Sequence, residues 1–188
     1  MEHITITGSL GSGKSLVSSI LKGKLGIEIE SVGSLLRKMA QNYGMSTNEF
    51  NKYLEEHPEF DHELDSFVKE QGLSPVPKIF DSRLAWHFIP QSFKVYLYVK
   101  DEIAAKRVYG DTMRVNEKYE SEDDALFRIK ERRKSEVLRF KTQYNIDLDD
   151  LANYDLIIDT SYSTPENIAN TIIEKYQKNS LNRKDNPV

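Results

Sequence analysis

Gly8-Ser9-Leu10-Gly11-Ser12-Gly13-Lys14-Ser15 is the stretch that decides the fold of this 188-residue chain. It satisfies the pattern G-x-x-x-x-G-K-[ST], and its flanks are those the pattern requires. Before it, Ile4 and Ile6 alternate with Thr5 and Thr7, the period-two signature of a short strand. After it, Leu16, Val17, Ile20, Leu21 and Leu25 recur at helical spacing, and Gly26 stands where a C-cap glycine belongs. Ile27 and Ile29 then alternate with glutamates as a second strand. Strand, crossover helix and strand form a βαβ unit, which implies an α/β fold on a parallel sheet. In such a turn, backbone N–H groups converge on phosphate oxygens at a helix N-terminus, and side chains would obstruct them. Gly8, Gly11, Ser12 and Gly13 are therefore expected to cradle the phosphates of ATP. Lys14 would reach the β- and γ-phosphates, and the Ser15 hydroxyl would ligate Mg²⁺.

Outward from this unit, residues 34–73 read as a helical excursion. Leu35, Leu36, Met39, Ala40 and Tyr43 form one apolar stripe; Ser46-x-x-Glu49 is a capping box opening a helix that stops before Pro58. Leu64, Phe67 and Val68 mark a third, short helix ended by Gly72. Lys78 to Asp81, Val95 to Val99 and Leu156 to Asp159 read as further strands. Asp101 opens a helix to about Tyr109, and Ser121 followed by three acidic residues opens a long one to about Tyr144. Thr164-Pro165-Glu166 starts the last helix. The stretch from Gly110 to Ser121 is polar and is expected to be mobile. Residues 179–188 are expected to form a flexible tail beyond a single domain over 1–178.

Composition narrows the function. Zero cysteines exclude disulfides, thiolate zinc sites and a cysteine nucleophile, and fit a cytoplasmic address. His3, His57, His62 and His87 show no ligand spacing. The longest apolar run is too short to cross a bilayer, and no signal peptide is visible. A net charge of −4 argues against sequence-independent nucleic-acid binding.

Arginine placement is the second clue. The first hundred residues hold nine lysines but only Arg37 and Arg83, so an arginine there answers a geometric need such as bidentate phosphate recognition. Both lie just past a strand, at the ligand-binding edge of an open parallel sheet. Six of the other seven arginines fall between Arg107 and Arg139. At ~100° per residue, Arg128, Arg132 and Arg139 share one face of the long helix, and three guanidinium groups on one stripe repel unless an anion bridges them. Arg133 points toward the apolar stripe and reads as structural. Two strands end in aspartate. Asp81 is preferred to Asp159 for Mg²⁺, because the last strand of such a sheet usually lies farther from the phosphate loop. A GTPase would need Asn-Lys-x-Asp, and Asn182-Arg183-Lys184-Asp185 does not supply it.

These residues resemble a known family. G-S-L-G-S-G-K-S, S-V-G-S-L-L-R, F-D-S-R-L-A-W, E-R-R-K-S-E-V-L-R-F-K and Y-N-I-D-L-D-D-L-A-N-Y-D-L-I-I-D-T-S are similar to motifs of the short, archaeal-type cytidylate kinases, P-loop nucleoside-monophosphate kinases. The resemblance runs from His3 to about Lys178. It implies a five-stranded parallel sheet of order 2-3-1-4-5, a monophosphate-binding insertion (about 34–73) and a lid (about 110–132). It also implies transfer from ATP to CMP or dCMP, by a monomer acting on small nucleotides. Ser31, Gly33, Arg37 and Arg83 would then hold the acceptor, and Arg107, Arg132 and Arg139 would close on the phosphoryl group in flight. The chain departs from the family pattern at Ser34 and Ser82, where aspartate and glycine are common. It departs again near Asp111, where relatives carry a basic residue and Arg114 could substitute. Two other readings stay open: a P-loop kinase for another monophosphate or an alcohol metabolite, and an ATP-binding regulatory module without turnover.

Overall fold

The computed structural model describes residues 2–111 and 119–185. Five parallel strands form one sheet: β1 (Ile4–Gly8), β2 (Glu28–Ser31), β3 (Lys78–Asp81), β4 (Phe93–Tyr98) and β5 (Leu156–Asp159), in the spatial order β2-β3-β1-β4-β5. This is the expected order. Register pairs Ile6 of β1 with Asp81 of β3 and with Val95 of β4, so the loop after β1 leaves from the middle of the sheet's carboxyl edge.

Helices cover both faces. Helix α1 (Lys14–Leu25) and the last helix, α8 (Pro165–Asp185), pack on one face, where Ile4, Ile6, Val17, Leu21, Ile172 and Tyr176 form the main core. Period-two alternation turns Thr5 and Thr7 to the opposite face, where both are buried. Their hydroxyls are satisfied there: Thr5 meets the Ser92 hydroxyl at 3.1 Å, and Thr7 donates to the Ser82 carbonyl at 3.0 Å.

The excursion after β2 is three helices, α2 (Val32–Asn42), α3 (Thr47–Tyr53) and α4 (Pro58–Gly72). They share a core of Leu36, Ala40, Phe50, Leu54 and Leu64. The capping box at Ser46 and Glu49 forms in full. Helix α3 already stops at Tyr53, and Pro58 opens the next helix at a first-turn position where a missing N–H costs nothing; α4 has 15 residues and is not short. Beyond β3 come α5 (Ala85–Phe88), α6 (Asp101–Tyr109) and α7 (Glu122–Tyr144), the last capped by Ser121 as expected.

Of the tail expected over 179–188, residues 179–185 continue α8 to Asp185, and 186–188 lie outside the described residues. One reason is local, since the Asn179 side-chain amide donates to Glu2 at 2.8 Å and anchors this turn to the start of β1. The stretch 112–118, which includes Arg114 and part of the expected lid, lies outside the described residues. Among the described residues no helix is long and apolar enough to cross a membrane.

Candidate active site

The loop after β1 is shaped by close approach and by backbone handedness. A Cβ on Gly11 would lie 2.9 Å from the backbone of Ala104 on α6, so only glycine lets the loop pack there. Gly13 has open space around it but sits at φ 85°, the left-handed N-cap from which α1 starts. Lys14 folds back over the loop, donating to the carbonyls of Gly8 at 2.8 Å and Ser9 at 2.9 Å. Burial, then the nearby charge of Arg83, pull its pKa well below the ordinary lysine value. The next residue, Ser15, donates its hydroxyl to Asp81 Oδ2 at 2.8 Å. Asp81 reaches it because β3 is the immediate neighbour of β1. Asp159, on the edge strand β5, instead accepts from the Ser161 N–H at 2.8 Å.

A cleft of about 560 Å³ opens above this loop. On the loop side, Gly11, Gly13, Lys14, Ser15 and Asp81 line it. From the other elements come Gly33, Arg37, Arg83, Arg107, Arg132 and Arg139. Gly8, Ser12 and Ser31 are not in the lining. Ser12 is buried beneath the loop, and Ser31 caps α2 by accepting from the Ser34 N–H at 3.3 Å. Ser34 also accepts from Arg37 at 2.9 Å, so its hydroxyl orients this arginine. Arg107 ties the β5 end to the phosphate loop, donating to the Thr160 carbonyl at 2.6 Å and to the Gly11 carbonyl at 3.3 Å.

The long helix behaves differently from its sequence reading. Arg132 and Arg139 face the cleft, whereas Arg128 pairs with Asp124 one turn back on the exposed side. The anion that relieves their repulsion is largely internal. Glu136, 4% exposed, accepts from Arg83 Nε at 2.8 Å and from Arg132 Nε at 3.1 Å. Burial alone would raise its pKa, but Arg83 and Arg132 hold it far below the ordinary glutamate value. Arg139 pairs with Asp61 Oδ2 at 3.0 Å and donates to the Asn51 carbonyl at 3.0 Å, which places its guanidinium among the α3 and α4 side chains. Arg133 donates to the Leu148 carbonyl and to Asp149, fastening α7 to the segment before β5. Sequence reasoning did not find Glu136, Asp61, Asp65 or Asn51. Only Glu136 carried a signal, its i,i+4 spacing from Arg132.

The family described as AAA domain matches residues 4–128. A cytidylate kinase of Thermoplasma volcanium is 35% identical over 183 residues, covering 95% of this chain and 93% of its own. This chain belongs to the archaeal-type cytidylate kinase family. It is an ATP-dependent kinase on the P-loop fold. An S-adenosylmethionine-dependent nucleotide dehydratase of Lacinutrix mariniflava is 36% identical over 178 residues; those cover 94% of this chain but only 36% of the dehydratase. Among solved structures, the shikimate kinase of Acinetobacter baumannii in complex with shikimate aligns with a TM-score of 0.62 at 17% identity, over 96% of each chain. That likeness concerns the fold alone.

Proposed function

We propose that this kinase transfers the γ-phosphoryl group of ATP to CMP or dCMP, giving the diphosphate and ADP. The observation that carries the reading is the single cleft with the phosphate loop on one wall and Arg37 and Arg83 on the other, in a chain of the cytidylate kinase family. A mere ATP sensor has no use for a second set of phosphate-directed guanidinium groups.

The acceptor phosphate has a second pKa of about 6, so at neutral pH it is already an anionic nucleophile and needs no general base. Asp81 is committed to Ser15, which counts against a carboxylate base for an alcohol acceptor. What the residues must do is align two polyanions and neutralise the charge on the equatorial oxygens during transfer. Backbone N–H groups of residues 11–15 and Lys14 would hold the donor phosphates. Arg37 and Arg83 would hold the acceptor phosphate, and Arg107 and Arg132 would face the group in flight. Ser15 and Asp81 offer two hard oxygen donors side by side. That set fits Mg²⁺, which takes one or two protein oxygens and completes its shell with phosphates and water. Bound there, Mg²⁺ would offset charge on the β- and γ-phosphates.

Membership of a longer nucleotide dehydratase by a related module is in keeping with a kinase whose product is a nucleotide. The absence of cysteine suits the cytoplasm, and the net negative charge suits small nucleotides better than nucleic acid. The test is ADP release, by a coupled assay, with CMP, dCMP, UMP, AMP, dTMP, shikimate and gluconate. CMP or dCMP should give the highest kcat/KM; turnover with an alcohol and none with nucleotides would overturn the assignment.

A further inference from the structure

Behind the cleft lies a second cavity, of about 660 Å³, that the reaction described above does not use. It opens between α7, the carboxyl end of β4 and the segment before β5, where Val137, Tyr98 and Asp149 line it. We infer that it is a regulatory site for a nucleoside triphosphate, separate from the donor site on the phosphate loop.

Its size is that of a small-molecule site, and its charge calls for a polyanion. Lys130, Arg133, Lys134 and Lys141 all line it. At ~100° per residue the three lysines fall within about 40° of one another on α7, a stripe apart from that of Arg132 and Arg139. Asp101 approaches Lys130 at 3.9 Å, and Asp149 pairs with Arg133. Among the described residues Lys134 and Lys141 make no ion pair, so positive charge is left over in a chain whose net charge is −4. Arg133 supplies an independent sign. Its Nη2 donates to the Leu148 carbonyl, while its Nη1 is buried without a hydrogen-bond partner. A buried donor left in that state is costly, and an anionic oxygen would relieve it. At ~1.5 Å per residue, Lys130 to Lys141 stretch about 16 Å, room for a triphosphate chain and its sugar.

The rest of the lining chooses among anions. Tyr96, Tyr98, Val99, Ile129 and Val137 give the cavity apolar and aromatic walls. An inorganic anion gains nothing from them, whereas a nucleobase can stack on Tyr98, whose ring is 45% exposed. An amphipathic carboxylate would fill the walls but leave most of the four cations without a partner. Leu10, Arg83, Arg132 and Glu136 border both cavities. A polyanion behind that shared wall competes with Glu136, and with the phosphates in the cleft, for the same guanidinium groups. Occupancy should therefore slow transfer.

Calorimetric titration of the wild type with ATP, CTP, UTP and GTP in turn, each with Mg²⁺, counts the sites. At least one of them should bind with two equivalents per chain. Lys14→Ala should weaken the equivalent on the phosphate loop and spare the other. Lys134→Glu and Lys141→Glu, both at exposed positions, should weaken the second equivalent ten-fold or more, and Tyr98→Ala should weaken it as well. With no effector present, these three variants should keep the wild-type kcat. In the wild type, occupancy should lower kcat at least two-fold in a way that saturating ATP does not relieve, and Lys134→Glu should abolish that inhibition. One equivalent for every triphosphate would overturn the inference, as would a second equivalent untouched by Lys134→Glu and Tyr98→Ala. Inorganic tripolyphosphate bound there as tightly as the nucleotide would reduce the cavity to an anion patch, and two equivalents with no effect on kcat would remove the regulatory role; either result overturns the inference. The kinetic arm uses whichever acceptor the enzyme turns over, so failure here leaves the CMP assignment standing, and an acceptor other than CMP leaves this inference standing.

Discussion

The phosphate loop and the acceptor wall face each other across one cleft, yet they are built by opposite means. The loop is eight consecutive residues whose work is done by backbone, held in place by glycines and one lysine. The wall is assembled from side chains on α2, α3, α4, α7 and the turn after β3, some held by a partner distant in sequence, as Arg83 is by Glu136 and Arg139 by Asp61, and others by a near one, as Arg37 is by Ser34. A backbone cradle tolerates change at its variable positions and fails at its glycines. A side-chain wall fails wherever one member of a pair is removed, because the other is left as a buried, unbalanced charge.

Glu136→Gln tests that contrast with the largest expected effect. Removing the carboxylate between Arg83 and Arg132 should destabilise the fold by about 3–5 kcal/mol in denaturant unfolding at neutral pH. Because its pKa is depressed in the folded state, its contribution is fully present above the ordinary glutamate value near 4.5 and is lost as pH falls below it. The variant's stability should therefore decline less steeply with acid than the wild type's, and parallel curves would break the comparison. Next comes Lys14→Ala, which should lower kcat by about 10²–10³ while leaving thermal stability near the wild-type value. A cradle residue that cost stability instead would make the two walls alike.

Arg37→Lys keeps the charge but loses the planar fork. Apparent affinity for CMP should fall by about 1.5–3 kcal/mol with ATP little affected, read from KM for each substrate in turn. A loss toward ATP alone would move Arg37 to the other wall. The smallest effect is expected for Arg133→Ala, about 0.5–1.5 kcal/mol in stability at unchanged kcat, since its bonds go to the Leu148 carbonyl and Asp149. A catalytic defect there without a stability loss would refute the assignment of helix faces.

This difference in construction also explains what the sequence made legible. The loop, β1, α1 and Asp81 could be read because their information is contiguous or lies at a strand end. The sheet order came only with the family resemblance, and the structure agrees with it. Arg37 and Arg83 were visible because arginine is scarce around them. Helical arithmetic put Arg128 with Arg132 and Arg139, but Asp124 draws Arg128 to the solvent side. The repulsion among these arginines pointed to an external anion, whereas Glu136 and Asp61 are anions of the chain itself. Asp61, Asp65 and Asn51 carry no local signal in the sequence that separates them from ordinary polar residues of a helical excursion. Only the packing of α3 and α4 against α7 buries them, and a contact across some eighty residues leaves no local periodicity to read.

The central claim is that one cleft takes two phosphate-bearing nucleotides at once, one from each wall. Calorimetric titration with an adenosine–cytidine analogue joined through five phosphates tests it most directly, on the wild type and on the Lys14→Ala and Arg37→Lys variants. One analogue should bind per chain, more tightly than ATP or CMP alone, and both substitutions should weaken it. An analogue that binds no more tightly than ATP, with Arg37→Lys indifferent to it, would contradict the claim.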